Sequence, residues 1–148
     1  MMMYGKTSSA QSQAQRSQYT ADAVLSATPV RLLTMLYDRL LLDLGRAEIA
    51  QTAENWAVAS DNLVHAQAIV AELSSSLTIG EWDGAEGLLA VYTYVSNAMI
   101  TANIHRDVEA TRQSIALLEP LRQSWHDAAA ALPAQPTVLV SSGSLGIG

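Results

Sequence analysis

The sequence predicts an all-α protein: an antiparallel up-down four-helix bundle, with an extended or short-helical N-terminal segment before it and a disordered C-terminal tail after it. Three observations carry that prediction. The chain of 148 residues is 49% hydrophobic but only 5% aromatic, with no Phe and no Cys. Its core must therefore come mainly from Leu, Val, Ile and Ala, and where Ala and Leu dominate the backbone favours helix. Four segments repeat apolar residues at alternating intervals of three and four, the period of one helix face. Short connections join them, so consecutive helices must run antiparallel. The length suits one domain, divided as a disordered tail over 1–18, the bundle over 19–132 and a flexible tail over 133–148.

The first helix opens at Thr28-Pro29, an N-cap followed by proline at the first helical position, where a missing N–H costs nothing. It runs to about residue 51. Leu33, Leu36, Leu40 and Leu44 mark one stripe, and Leu32, Met35 and Leu42 mark another. A helix apolar on two sides is either central or lends its second face to a partner.

The second helix covers 55–77, with a seam of Trp56, Ala59, Leu63, Ala66, Val70, Leu73 and Leu77, widened by Ile69. Three serines at 74–76, then Thr78 and Gly80, end it. The third covers 83–103. Ala85, Leu88, Tyr92, Val95, Met99 and Ala102 form its seam, with Val91, Tyr94 and Ala98 beside it. Asn103 is expected as its C-cap, because Asn tolerates left-handed geometry.

The fourth helix starts from an N-cap at Asp107 and reaches about Leu132. Its stripe is Val108, Thr111, Ile115 and Leu118, then Leu121, Trp125, Ala128 and Leu132. The interval shortens to three around Pro120, which also removes an intrahelical hydrogen bond, so a kink is expected there. Trp56 and Trp125 are expected as buried anchors of the bundle ends.

Outside the helices, residues 5–18 are polar and of low complexity and bury too little to offset chain entropy. Pro133 and Pro136 stop the last helix, and 141–148 reads as tail. Val138-Leu139-Val140 makes a short apolar run inside that tail. The simplest reading leaves it there, and a packed segment or partner motif is the alternative.

Composition removes several functions. Fourteen acids against eight bases give a net charge of −6, which disfavours phosphate backbones and anionic lipid, so no nucleic-acid partner is expected. No stretch approaches the roughly 18–20 apolar residues of a membrane span, and the N-terminus lacks the apolar centre of a secretory signal. No membrane insertion and a cytoplasmic location are expected. Without Cys there is no disulfide framework, thiolate metal site or Cys nucleophile.

A di-iron bundle needs Glu-x-x-His on two helices. The three histidines, His65, His105 and His126, are preceded at that spacing by Asn62, Ala102 and Gln123. Asp61 and His65, four apart on one helix, read as a surface polar pair. No phosphate-binding glycine loop and no Gly-x-Ser-x-Gly elbow occurs. Glu81, Asp83 and Glu86 read as a charged first turn favouring the helix dipole. The expectation is a protein that is not an enzyme and carries no cofactor or metal.

Two stretches are more particular. One is Tyr19-x4-Val24-Leu25-x-Ala27-Thr28-Pro29, leading into Leu33-x-Met35-Leu36-Tyr37-Asp38. The other is Tyr92-x-Tyr94-Val95, then Ala102-Asn103-x3-Asp107 and Leu117-Leu118-x2-Leu121-Arg122-x2-Trp125. In order and spacing these resemble the FliS-type flagellin export chaperones over about residues 19–131. The chain departs from that pattern at Arg39, where the family has glycine, at Glu81-Trp82-Asp83-Gly84 before the third helix, at Gly87 and at Thr93.

The resemblance implies a bundle that binds the C-terminal helical segment of flagellin, prevents its premature polymerisation in the cytoplasm and delivers it to the flagellar export apparatus. Recognition would be helix-in-groove, along spare apolar faces. The flagellin groove or its lid would draw on Tyr19, Val24, Tyr37, Asp38, Ile69, Val91, Tyr94, Val95, Ala98 and Asn103. The family uses its N-terminal segment to occupy part of the empty groove, a role Tyr19 and Val24 would take. Tyr19 reads equally as a hydrophobic staple at the helix start, Tyr37 and Asp38 as core edge and cap, and Tyr92 as core. The competing reading is a structural bundle that self-associates through the same faces, and those faces also allow a weak homodimer.

Overall fold

In the computed structural model four helices pack side by side: α1 (Pro29–Thr52), α2 (Trp56–Ser75), α3 (Gly84–Ile104) and α4 (Val108–Ala131). The structure describes residues 29–78, 80 and 83–133. Thr28, Tyr19, Val24, the tail over 1–18 and residues 134–148 lie outside the described residues. Each helix packs on two neighbours, α1 on α2 and α4, and α3 on the same two, with α1 the more closely packed. Among the described residues there is no strand.

The turns follow from local chemistry. Glu54 takes a left-handed conformation, and the Asn55 side chain accepts a hydrogen bond from the Val58 N–H as the N-cap of α2. At the next tight connection Arg106 is the left-handed residue, and Asp107 Oδ1 accepts from the N–H groups of Glu109 and Ala110 at 3.0 and 3.3 Å. Asn103 is therefore not the C-cap expected of it. It lies inside α3, which continues to a cap at His105. The α4 helix continues through Pro120, which is exposed.

The predicted seam of α3 is buried at all six positions, Ala85, Leu88, Tyr92, Val95, Met99 and Ala102. Ala59, Leu63, Ala66, Val70 and Leu73 of α2 are buried likewise. The α1 face is rotated from expectation: Tyr37, Leu40, Leu44 and Ala47 are buried, while Leu33 and Leu36 are only partly so. In α4 burial ends at Leu118, and the predicted stripe beyond it is half-buried or exposed.

Polar groups inside the bundle are partnered. The Gln51 amide donates to the Ala102 carbonyl at 3.2 Å and accepts from the Thr111 hydroxyl at 2.7 Å, tying α1 to α3 and α4. At that end the Arg106 guanidinium lies over the Trp56 ring, 4.9 Å from its centroid. Asp43, with its side chain 1% exposed, accepts from Arg39 Nε at 2.9 Å and pairs with His65 Nδ1 across the α1–α2 interface. His65 is thus committed to Asp43 rather than to Asp61.

Gly45 sits in mid-helix, and a Cβ built there meets nothing within 4 Å. Gly45→Ala should raise stability by about 0.5–1 kcal/mol, because alanine has the higher helix propensity and restricts the unfolded chain. Urea denaturation at unchanged m checks this.

Candidate functional site

The end of the bundle where α1 begins and α4 finishes is open. One cavity, of about 430 Å³, lies between the first turns of α1 (Leu32, Leu33, Leu36), the last turns of α2 (Leu73, Leu77) and Trp125 of α4, with Leu88 and Tyr92 of α3 in its wall. A second, a groove of about 440 Å³, runs between α3 and α4. Gly84, Gly87 and Val91 form one side and Leu121, Ser124 and Ala128 the other, and Leu88 and Trp125 are shared with the end cavity. The gap has a local cause: two glycines put no side chain on the α3 flank that faces α4. Tyr94 and Ala98 continue that flank of α3 three and seven residues after Val91, and Leu117 continues the α4 flank. Tyr94 is 54% exposed and Leu117 42%. The result is an apolar channel open to solvent, of the kind that takes an amphipathic segment.

The structure divides the residues that the sequence grouped together. Val91, Tyr94 and Ala98 share the groove flank of α3. Tyr37, Val95 and Ile69 are buried in the core, so none of them can line a groove surface. Tyr37 and Tyr92 meet there, hydroxyl to hydroxyl at 2.5 Å, with ring centroids 6.5 Å apart. Burial pushes the pKa of both phenols up. Asn103 faces α2, beside a small cavity with Trp56, Ala59 and Ser60. Asp38 is exposed and holds α1 to α4, its Oδ1 2.7 Å from His126 Nε2 and 2.9 Å from Arg122 Nη1. Partial desolvation would raise its pKa, but the hydrogen bonds from His126 and Arg122 outweigh it and hold the carboxyl below its ordinary value.

Tyr19 and Val24 are among the residues that the structure does not describe. Neither tryptophan is a fully buried anchor: Trp56 and Trp125 are both half-buried, and Trp125 walls both cavities. The residues lining the α3–α4 cavity that the sequence reading did not single out as site residues include Gly87, Leu121, Trp125 and Ala128. For Leu121, Trp125 and Ala128 the signal was the phase slip at Pro120, since these apolar positions after it line open space.

Comparison with known proteins resolves which bundle this is. The family model described as flagellar protein FliS matches residues 11–132. The chain belongs to the FliS family. It is 31% identical over 107 residues to the flagellar secretion chaperone FliS of Escherichia coli (strain K12), covering 71% of this chain and 79% of that protein. It is 29% identical over 111 residues to the flagellar secretion chaperone FliS of Bacillus subtilis (strain 168), covering 74% and 82%. A crystal structure of a flagellar chaperone from bacteria superposes with a TM-score of 0.64 at 16% identity, covering 80% of this chain and 98% of that one. That likeness shows a shared fold. As a FliS-family protein the chain is a bundle of the flagellar secretion chaperone class. Among its described residues no helix is long and apolar enough to cross a membrane.

Proposed function

We propose that this protein binds the C-terminal helical segment of flagellin, keeps it from polymerising in the cytoplasm and delivers it to the flagellar export apparatus. The observation that carries this reading is the apolar channel between α3 and α4, found in a chain of the FliS family. An amphipathic helix that polymerises through its apolar stripe is held monomeric when that stripe is covered. The channel offers a matching apolar surface, with no charged side chain among the residues lining its cavity. No catalytic step is part of this function.

The deciding experiment is calorimetric titration of the full chain with the C-terminal segment of flagellin from the same organism. Saturable one-to-one binding with a negative heat-capacity change is expected, the mark of apolar burial. Tyr94→Asp should weaken that binding at least about tenfold, or about 1.4 kcal/mol, with an unchanged melting temperature because the residue is exposed. Val64→Asp on the outer face of α2, equally exposed, should change neither. Equal losses in both variants would remove the channel from recognition.

In the lid reading Tyr19 and Val24 occupy part of the groove when it is empty. Deleting residues 1–24 should leave the helices folded and raise the fluorescence of an apolar dye. An unchanged dye signal would count against the lid.

One observation favours the second reading, self-association. Met35, Leu42 and Ile49 recur every seven residues on the solvent face of α1, each more than a third exposed. A mass that rises with concentration, in a chain with no affinity for flagellin, would support it.

A further inference from the structure

At the end of the bundle away from the channel, a small cavity of about 170 Å³ opens between α2 and α3. Trp56 and Ser60 of α2, Asn103 of α3 and Arg106 of the turn that follows line it, together with Gln51 of α1. The Gln51 amide is committed on both sides, to Ala102 and to Thr111. The other three polar side chains are not. Among the described residues, the Ser60 hydroxyl, the Asn103 amide and the Arg106 guanidinium hydrogen-bond to no protein group. Arg39, Arg112 and Arg122 each pair with a carboxylate, whereas Arg106 pairs with none among the described residues. Its sequence neighbour Asp107 is spent on capping α4. We propose that this cavity is a binding site separate from the channel, which takes the carboxylate of an acidic side chain presented by a partner polypeptide.

The donors match that ligand. A guanidinium carries a permanent charge and a planar fork that meets a carboxylate with two parallel hydrogen bonds. The Asn103 amide and the Ser60 hydroxyl, both half-buried, can donate to its remaining lone pairs. Arg106 is also positioned beforehand, because its guanidinium lies 4.9 Å from the centroid of the Trp56 ring, and a cation already ordered loses less freedom on binding. Its backbone is left-handed, φ 54°, a conformation that Gly or Asn adopts more readily. Strain of that kind gathers where a side chain has a ligand to hold.

Size and charge narrow the choice further. Pockets for whole small molecules run to about 300–1,000 Å³. A cavity of about 170 Å³ takes one functional group, so the rest of the ligand lies outside, where the half-buried Trp56 ring offers apolar contact to a polypeptide. The net charge of −6 opposes a multiply charged anion more than a single carboxylate. The site rests on this chain's own side chains and does not depend on the identity of the channel's cargo.

The test is a titration of the isotope-labelled full-length protein, at low ionic strength where surface charge is least screened. The probes are the tripeptide Gly-Glu-Gly, blocked at both ends, and its counterpart with Gln in place of Glu. The Glu peptide is expected to shift the Arg106 Nε–H, the Asn103 side-chain amide and the Trp56 indole N–H saturably, and to leave the Gly87 and Val91 amides of the channel unmoved. The Gln peptide should shift none of them. Arg106→Asn, which suits left-handed backbone, should weaken binding at least about tenfold, the scale of one lost charge-assisted contact, at an unchanged melting temperature. Arg106→Lys, which keeps the charge but not the fork, should restore only part of it. Asn103→Ala should weaken it severalfold and carries the test if Arg106→Asn melts early.

Equal shifts with the two peptides, shifts centred on the channel, or binding that survives both Arg106→Asn and Asn103→Ala would overturn the proposal. Sodium acetate binding as well as the Glu peptide would overturn the polypeptide source. Inorganic phosphate displacing that peptide at lower concentration would overturn the carboxylate.

Discussion

Tyr37→Ala should cost about 3–5 kcal/mol, the range for deleting a buried aromatic ring, and lower the melting temperature of a bundle of this size by roughly 15–30 °C. Three losses combine. The ring is fully buried between helices, so its removal opens a cavity. The tilted ring pair with Tyr92 disappears. The Tyr92 hydroxyl, itself 1% exposed, loses the partner at 2.5 Å that satisfies it. Tyr37→Phe isolates the last loss and should cost about 1–2 kcal/mol.

Alkali gives an independent check. Burial raises the pKa of both phenols in the fold, so above about pH 10 the unfolded chain sheds protons that the native chain keeps. Fewer protons bound in the unfolded state means stability falls as pH rises. The slope approaches about 1.4 kcal/mol per pH unit for each tyrosine held neutral. Tyr37→Phe should roughly halve that slope, and denaturant midpoints at pH 8 to 11 measure it. A slope unchanged by the substitution would mean that the pair is not buried as described.

His65→Ala should destabilise by about 2–3 kcal/mol, a large effect for a side chain 51% exposed. The cause lies behind it. Asp43 has its carboxylate 1% exposed and shares it between His65 on α2 and Arg39 on α1. Removing the imidazole leaves one carboxylate oxygen buried without its partner, and desolvated charge is where such deletions are costly. Adding Asp43→Leu to His65→Ala should recover most of the loss, because an apolar side chain needs no partner there. A double-mutant cycle in urea denaturation supplies the coupling. Strict additivity of the two substitutions would reject a cross-helix tie.

These two sites show where sequence pattern is strong and where it fails. In α2 and α3 the seam stands out because polar residues flank it, and its period coincides with burial nearly residue for residue. In α1 leucines occupy both sides, so the count of apolar residues does not choose the face. The true face is set by Tyr37, Ala47, Asp43 and Gln51, whose size or polarity gives no hydrophobic signal. Asp43 could not be placed from sequence because its partner His65 is 22 residues away on another helix.

The groove was half legible. Of the α3 wall of the cavity, Val91 follows from its place beside the α3 seam, but the opposite wall required knowing that α4 turns its later stripe towards two glycines of α3. Tyr37 and Val95 stood in motifs that resemble the family, and motif membership does not separate a packing role from a contact role.

The two ends of the bundle are built differently, and that difference sets a gradient of local stability. At the Gln51–Thr111 end, bonds from α1 reach both α3 and α4, and each tight turn holds a capping side chain. At the other end the helices surround two cavities. Amides of Leu63, Met99 and Thr111 should therefore exchange with deuterium only through global unfolding, while those near Leu36, Leu88 and Trp125 exchange through smaller openings of lower free energy. A segment entering the channel would slow exchange at the second group and leave the first, already at its ceiling, almost unmoved. Such a bundle can admit and release a long partner by loosening one end, with the other still holding the four helices in register.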